Sequence, residues 1–251
     1  MVYMGSKDRI AKYIIPIITK YLTEDKWYVE PFCGGCNMID KINHKKRMAN
    51  DYNKYLIALF KALQQDMEMP EFISKEQYDA VKSNKDDYED WYVGFVGFVC
   101  SFRGKFFNGW IKPSCETKDG NTRNFQREHI NNLVKQSRSL KSVRYFNMSY
   151  CDLDIPKNSI IYCDPPYQDT TAYKNADGFD HDSFWQWCRE QTKRGCDVLI
   201  SEYNAPVDFV CVWQKGVNMN LSGGKGKTAI EKLFVHESIA DKYLDKTLLD
   251  F

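Results

Sequence analysis

The chain of 251 residues is long enough for one large domain, or for one domain carrying an insert. With 35 Lys and Arg against 34 Asp and Glu its formal net charge is +1, so contact with nucleic acid requires local basic patches, not a global field. An ordinary apolar fraction, no run of about 18 apolar residues, no apolar signal core behind Met1-Val2-Tyr3-Met4-Gly5-Ser6-Lys7 and nine irregularly spaced cysteines predict a globular cytoplasmic protein with reduced thiols and no membrane span.

The first predicted element is a helix from about Lys7 to Tyr21. Ser6 is placed to cap it, Ile10, Ile14, Ile17 and Ile18 recur at helical spacing, and Pro16 bends or interrupts it. Trp27-Tyr28-Val29-Glu30 reads as the first strand. Pro31-Phe32-Cys33-Gly34-Gly35-Cys36 follows, then a helix expected over Asn37 to Asn43. Adjacent glycines in such a loop let the backbone approach a ligand closely, although the spacing is not the G-x-G-x-x-G of dinucleotide binding. Cys33 and Cys36 form a lone CxxC with no second pair and only scattered histidines, so no metal is expected. A second strand, Lys46 to Asp51, ends in an acid. Asp51 follows Gly34 at close to the roughly 20-residue gap that brings an acidic side chain to ribose hydroxyls. Asn50 is alternatively a cap for the next helix, Tyr52 to about Gln65, and the spacing alone leaves both readings open.

Residues 66 to 144 break the strand–helix alternation. Helical pieces are expected near Lys75 to Ser83 and Tyr88 to Cys100. Then comes Ser101-Phe102-Arg103-Gly104-Lys105-Phe106-Phe107-Asn108-Gly109-Trp110-Ile111-Lys112-Pro113, where basic residues interleave with aromatics and glycine. That composition suits a loop or hairpin on nucleic acid, with cations on phosphates and aromatics or polar tips near bases. Arg103, Lys105, Asn108, Trp110 and Lys112 are its candidate contacts. Arg123 and Arg127 extend the basic stretch into a helix expected over Phe125 to Leu140, whose charges also suit a solvated helical face.

Ser142 to Asn147 restores a strand, and Ser159 to Cys163 is the next, an apolar β-branched run suited to a central position. It must stop at Asp164, because Pro165 and Pro166 cannot donate to a ladder. Asp164 is therefore expected at the carboxyl end of a strand, where open α/β sheets place ligands. Its carboxylate and the proline carbonyls accept hydrogen bonds, and neither proline carries an N–H. The result is an acceptor-rich clamp for a planar amine, with Tyr167 adding a flat face; the plain alternative is an Asp-Pro-Pro turn. The polar stretch Gln168 to Gly178 reads as a mobile loop in which Tyr173 either covers a ligand or is exposed. A helix over Asp180 to Lys193 and strands at Asp197–Ser201, Phe209–Trp213 and Lys232–His236 complete the chain. Ser222-Gly223-Gly224-Lys225-Gly226-Lys227-Thr228 falls short of a P-loop, since Leu221 stands where glycine is needed, and reads as a basic hairpin loop able to touch phosphates.

Taken in order, Tyr3 to Lys7, Glu30-Pro31-Phe32-Cys33-Gly34-Gly35, Asn50-Asp51 and Asp164-Pro165-Pro166-Tyr167, with an insert before the last, resemble the Dam-like DNA adenine-N6 methyltransferases, whose D12-class members include phage and bacterial enzymes. The resemblance implies an α/β fold: a Rossmann-like S-adenosylmethionine-dependent methyltransferase sheet with a mostly helical target-recognition insert. The catalytic domain would be 1–65 and 145–251, the insert 66–144. By position, Tyr3, Lys7, Phe32, Gly34, Gly35, Asp51, Ser149, Tyr150 and Asp164 would bind the cofactor. Asp164, Pro165, Pro166 and Tyr167 would act on the target base. Arg103, Lys105, Asn108, Trp110, Lys112, Arg123, Arg127, Lys225 and Lys227 would touch DNA.

The implied reaction is methyl transfer to N6 of an adenine flipped out of duplex DNA, by a monomer or weak dimer with no metal, in a bacterial cell or phage-infected host. The clamp by itself also suits cytosine N4, an RNA base or a glutamine side chain. A catalytically silent DNA-binding protein is the remaining alternative.

Overall fold

The computed structural model describes residues 1–116, 120, 122–167, 179–219 and 227–244. Two compact units divide the chain: Met1–Ile15 with Cys33–Leu153, and Pro16–Phe32 with the residues from Asp154 onward. Helix α1 (Asp8–Thr19) crosses from the first to the second at Pro16, and Ile10, Ala11, Ile14 and Ile18 form its buried stripe.

The first unit is built on a parallel pair, β2 (Arg47–Asn50) and β5 (Val143–Phe146), in register from Arg47 opposite Val143 to Asn50 opposite Phe146. Helix α2 (Lys54–Gln64) follows β2, and its Gln64 amide donates to the carbonyls of Leu140, Lys141 and Val143. Residues 66–144 lie in this same unit, so the compact units cut across the boundaries expected near 65 and 145. They carry α3 (Lys75–Ser83, opened by a Ser74–Gln77 capping box), α4 (Asp90–Gly94), a two-residue antiparallel pair β3 (Cys115–Glu116) and β4 (Thr122–Arg123), and α5 (Phe125–Ser137). Gln126 braces the segment from inside: its amide accepts from Ile73 N–H at 2.7 Å and donates to the carbonyls of Ile73 and Ile111. The described part of the segment is mostly helical, as the resemblance implies.

The second unit holds β1 (Tyr28–Glu30), β6 (Ile160–Cys163) and β7 (Asp197–Glu202) as neighbouring parallel strands. β9 (Lys227–His236) runs antiparallel to β7, and β8 (Phe209–Met219) antiparallel to β9. β1, β6 and β7 are buried throughout, which is why they read as near-continuous apolar runs. Helix α6 (His181–Lys193), capped by Asp180, and α7 (Glu237–Tyr243) complete the unit.

Three elements differ from expectation. The helix foreseen over Asn37–Asn43 is a single 3-10 turn, Ile39–Lys41. Its buried Ile39 and Ile42 are three apart, the spacing that eclipses in a 3-10 turn. The helix foreseen to Cys100 changes at Phe95 into a π-helical turn, Phe95–Val99, all of it buried. The last two strands run well beyond their apolar cores, because cross-strand pairs such as Gln214–Lys232 and Lys215–Glu231 extend the ladder through polar residues. Among the described residues no helix is long and apolar enough to cross a membrane.

Candidate active site

Asp51 is the residue immediately after β2. Asn50 is not a helix cap: its side-chain amide pairs with the backbone of Met148 in both directions, at 3.0 and 3.1 Å. Asn53 caps α2 instead, accepting from Leu56 N–H. The Asp51 carboxylate accepts from Gly34 N–H at 3.0 Å and from Asn53 N–H at 2.9 Å, one bond on each oxygen. A carboxylate has about four acceptor positions, so two are left for a ligand. Burial pushes the Asp51 carboxyl above the ordinary range, and the two amides pull it back in part. Asn147 donates to the carbonyls of Asp51 and Tyr52, at 2.8 and 3.1 Å. This ties the carboxyl ends of β2 and β5 together. Ser149 and Tyr150, half-buried at the start of a 3-10 turn, come just after β5.

Gly34 and Gly35 are packed against Tyr3. Gly34 is left-handed (φ +44°), and a Cβ there would lie 2.8 Å from the Tyr3 ring. A Cβ on Gly35 would lie 2.6 Å from Tyr3 Cβ and 2.8 Å from Asn37 Nδ2. On its other side the N-terminal segment meets Gly104 (φ +63°), where a Cβ would lie 2.2 Å from the Val2 carbonyl oxygen. The segment carrying Tyr3 is thus threaded between two glycine-bearing turns. The Tyr3 ring also packs against Phe98, with centroids 5.7 Å apart. Lys7 is buried, its ammonium 3.4 Å from the Gly5 carbonyl. The first unit therefore gathers Tyr3, Gly34, Gly35 and Asp51 into one contiguous set.

In the second unit three neighbouring parallel strands deliver carboxylates at the same edge. Glu30 ends β1, Asp164 follows β6 and Glu202 ends β7. Glu30 and Glu202 are buried, and Asp164 is half-buried. Tyr28 donates to Glu30 at 2.6 Å, and Tyr162 is hydrogen-bonded to Ser201 at 2.8 Å. Burial, helped by the charges of Asp164, Glu30 and Glu231, holds the Tyr162 phenol well above its ordinary pKa, so it stays neutral. Pro165 is buried and Pro166 half-buried. Tyr167 is packed inward: its ring meets Tyr203 edge-on at 4.7 Å, and its hydroxyl donates to Glu231 at 3.0 Å. Phe32 belongs to this unit, edge-on to Phe179 and Phe184. Tyr173 lies outside the described residues. Glu30, Glu202 and Glu231 carried no role in the sequence reading. Glu30 stands directly before a proline at a strand end, as Asp164 does, and that parallel was the available signal.

The basic loop separates into a packed and an exposed set. Phe106 and Phe107 pack on Tyr55, Phe98 and Tyr78, and Trp110 donates from Nε1 to the Ile73 carbonyl at 2.9 Å. These aromatics hold the loop. Arg103 (φ 60°), Lys105, Asn108 and Lys112 are exposed, as is Arg127 on α5. Arg123 is exposed but forms an ion pair with Glu128. Lys225 lies outside the described residues, and Lys227 opens β9. Cys33 and Cys36 are buried and not joined in a disulfide, and among the described residues no group of three or more His, Cys, Asp or Glu is placed to hold a metal ion.

A family model for D12 class N6 adenine-specific DNA methyltransferases matches residues 3–97 and 109–243, a span that takes in Tyr3, Lys7, the glycine loop, Asp51 and Asp164 to Tyr167. The chain belongs to this family. Residues 98–108, which include Arg103, Lys105 and Asn108, fall between the two matched stretches of the D12-class model. Among curated relatives, the type II methyltransferase M.FokI of Planomicrobium okeanokoites is 26% identical over 224 residues, covering 78% of this chain and 32% of the relative. Modification methylase StsI of Streptococcus sanguinis is 27% identical over 195 residues, covering 69% and 29%. The D12-class chain thus spans about a third of the length of the curated relatives it matches. A solved structure of SMU.472 in complex with SAH aligns over 92% of this chain and 52% of its own, at 12% identity and a TM-score of 0.36, too slight a likeness to argue from.

Proposed function

We propose that this D12-class chain transfers a methyl group from S-adenosylmethionine to N6 of an adenine flipped out of double-stranded DNA. The reading is carried by the placement of Asp164-Pro165-Pro166-Tyr167 directly after the buried strand β6 of a chain in this family.

The side chains of the first unit suit the cofactor's chemistry. Asp51 has acceptor positions left for two ribose hydroxyls, Lys7 is a buried cation suited to a carboxylate, and Tyr3 packs against the glycine turn. When bound, S-adenosylmethionine supplies an electrophilic methyl on a sulfonium. Asp164 and the Pro165 carbonyl accept the two N–H bonds of the amine. The nitrogen then pyramidalises, and its lone pair leaves the ring system. As the new N–C bond forms and the methyl–sulfur bond breaks to leave a neutral thioether, positive charge passes to N6, where Asp164 offsets it; the surplus proton leaves N6 toward Asp164 and solvent. This is catalysis by positioning and fixed charge, with no covalent enzyme intermediate. Tyr167, held by Glu231, forms a wall beside the base. Residues 66–144 serve as the recognition segment, with Arg103, Lys105, Lys112 and Arg127 on phosphates.

The test is transfer of labelled methyl from S-adenosylmethionine to unmethylated duplex DNA, with the modified base identified by mass spectrometry. N6-methyladenine is the expected product. Methylated cytosine, or label on RNA or protein only, would overturn the reading. Removing two phosphate contacts with Arg103→Ala and Lys105→Ala is expected to weaken DNA binding uniformly across sequences and to lower the slope of log affinity against log salt by about 2. A change in sequence preference at unchanged slope would instead make these residues base readers.

A further inference from the structure

Gln136 joins helix α5 to the glycine loop of the first unit. It lies on the buried stripe of α5 with Gln126, Ile130 and Leu133. Its side-chain nitrogen stands 3.0 Å from the Gly35 carbonyl, 3.1 Å from the Cys36 carbonyl, 3.1 Å from Asn37 Oδ1 and 3.0 Å from Asp40 Oδ2. Two N–H groups are shared among four acceptors, all on the loop that follows β1 or on the turn after it. The network continues outward. Asn37 donates to Ser6 Oγ at 2.8 Å, next to Lys7, and its Nδ2 is what a Cβ on Gly35 would strike. One buried amide thus fixes the carbonyls of the glycine turn, the side chain beneath that turn and, through Asn37, the segment that carries Tyr3 and Lys7.

The Gly34–Gly35 turn needs such a brace. Gly34 adopts positive φ freely, but Cys36 (φ 54°) does so at a cost in free energy that persists only because its surroundings enforce it. Asp51 holds the turn from the side of β2 through Gly34 N–H, and Gln136 holds it from the side of α5 through the carbonyl of Gly35. The same helix carries Arg127 in its first turn, and Arg123 lies just before it. Any shift of α5 caused by DNA contacts is therefore felt at the glycine turn through a hydrogen bond buried from water.

We propose that Gln136 is a positioning residue: it holds the glycine turn in the shape that takes S-adenosylmethionine, and it couples cofactor affinity to helix α5. This rests on the cofactor assignment above.

Two substitutions separate positioning from packing. Gln136→Met fills the same space without donors. Gln136→Glu is isosteric but sets a carboxylate against four acceptor oxygens. Calorimetry on the full chain, well below the melting temperature of each variant, is expected to show S-adenosylmethionine binding weakened about tenfold by Gln136→Met, the effect of losing a buried hydrogen bond. KM for the cofactor should rise with kcat nearly unchanged. Gln136→Glu is expected to be weaker still, because a carboxylate would face Asp40 and the carbonyls of Gly35 and Cys36 to which Gln136 now donates, with only the Met1 ammonium on its other oxygen to offset them. Hydrogen exchange on the wild-type protein supplies a measurement that depends on no variant: cofactor binding should slow exchange both at residues 33–37 and around 133–137 of α5. Unchanged cofactor affinity in Gln136→Met, or protection at 33–37 with none in α5, would overturn the proposal. Failure of the wild-type chain to bind S-adenosylmethionine at all would count against the cofactor assignment instead.

Discussion

Replacing Asp164 with alanine is expected to lower methyl transfer by about a thousandfold or more, the scale seen when a preorganised charge partner is removed from a reacting centre. The unfolding midpoint should stay near wild type, and cofactor binding should weaken far less than turnover. The physical reason lies in where charge develops. The amine is nearly planar and neutral before reaction and carries positive charge as the N–C bond forms, so a fixed carboxylate stabilises the transition state more than the ground state. β6 ends at Cys163 and two prolines follow Asp164, so the backbone there is stiff and holds no competing donor. Asp164→Asn distinguishes charge from shape: it keeps one acceptor oxygen but adds a donor, and most of the loss should persist. Single-turnover kinetics with saturating cofactor and DNA measure the chemical step directly. Near-wild-type turnover of Asp164→Ala would falsify the assignment of this motif.

Asp51→Asn is expected to raise the Kd for S-adenosylmethionine by about 30-fold, from the loss of ~2 kcal/mol of charge-assisted hydrogen bonds to ribose hydroxyls. The damage is local as well, since an amide nitrogen would face the N–H of either Gly34 or Asn53, which Asp51 now satisfies. The pH dependence follows from the raised carboxyl of the free protein. A folded-state pKa above the unfolded one means that the neutral form suits the free fold: this contribution to stability is present at low pH and is lost as pH rises through the folded pKa. Ribose hydroxyls favour the ionised form, so cofactor binding acts in the opposite sense. Affinity should rise as pH climbs through the raised pKa and then level off, with proton release on binding in that window. In Asp51→Asn the pH dependence should flatten. Calorimetry in buffers of different ionisation enthalpy counts the protons, and an unchanged pH profile in the variant would remove Asp51 from the cofactor site.

Asp164 was legible because its signal is short-range. An apolar β-branched run stopped by Asp-Pro-Pro has one plausible geometry, and β6 ends where it should. Asp51 was harder. Asn50 next to it is a good capping residue, and only the Met148 partnership, nearly a hundred positions away, shows that Asn50 is occupied elsewhere. Gln136 was out of reach as a site residue. The signal it leaves is a polar side chain on a buried helical stripe, as Gln126 is too, which says that a partner exists and not where. The basic loop left aromatics or polar tips as the groups near bases; in the structure Phe106, Phe107 and Trp110 pack within the protein and the cations are exposed. Composition cannot divide a mixed loop into its packed and its exposed halves.

The sequence by itself determined the order of the motifs, the class of the central strands, the place of Asp164 at the carboxyl end of its strand and the family to which the chain belongs. These rest on local rules: proline stops a ladder, a buried strand is apolar on both faces, and the motifs keep their chain order. The tertiary structure decided which glycines face a side chain and which surfaces the cations keep. It also decided that residues 66–144 share a compact unit with the glycine turn, and that a single amide on α5 braces that turn. Those outcomes depend on which distant groups meet, and a buried hydrogen bond between residues a hundred positions apart leaves no periodicity in the chain for a reader to find.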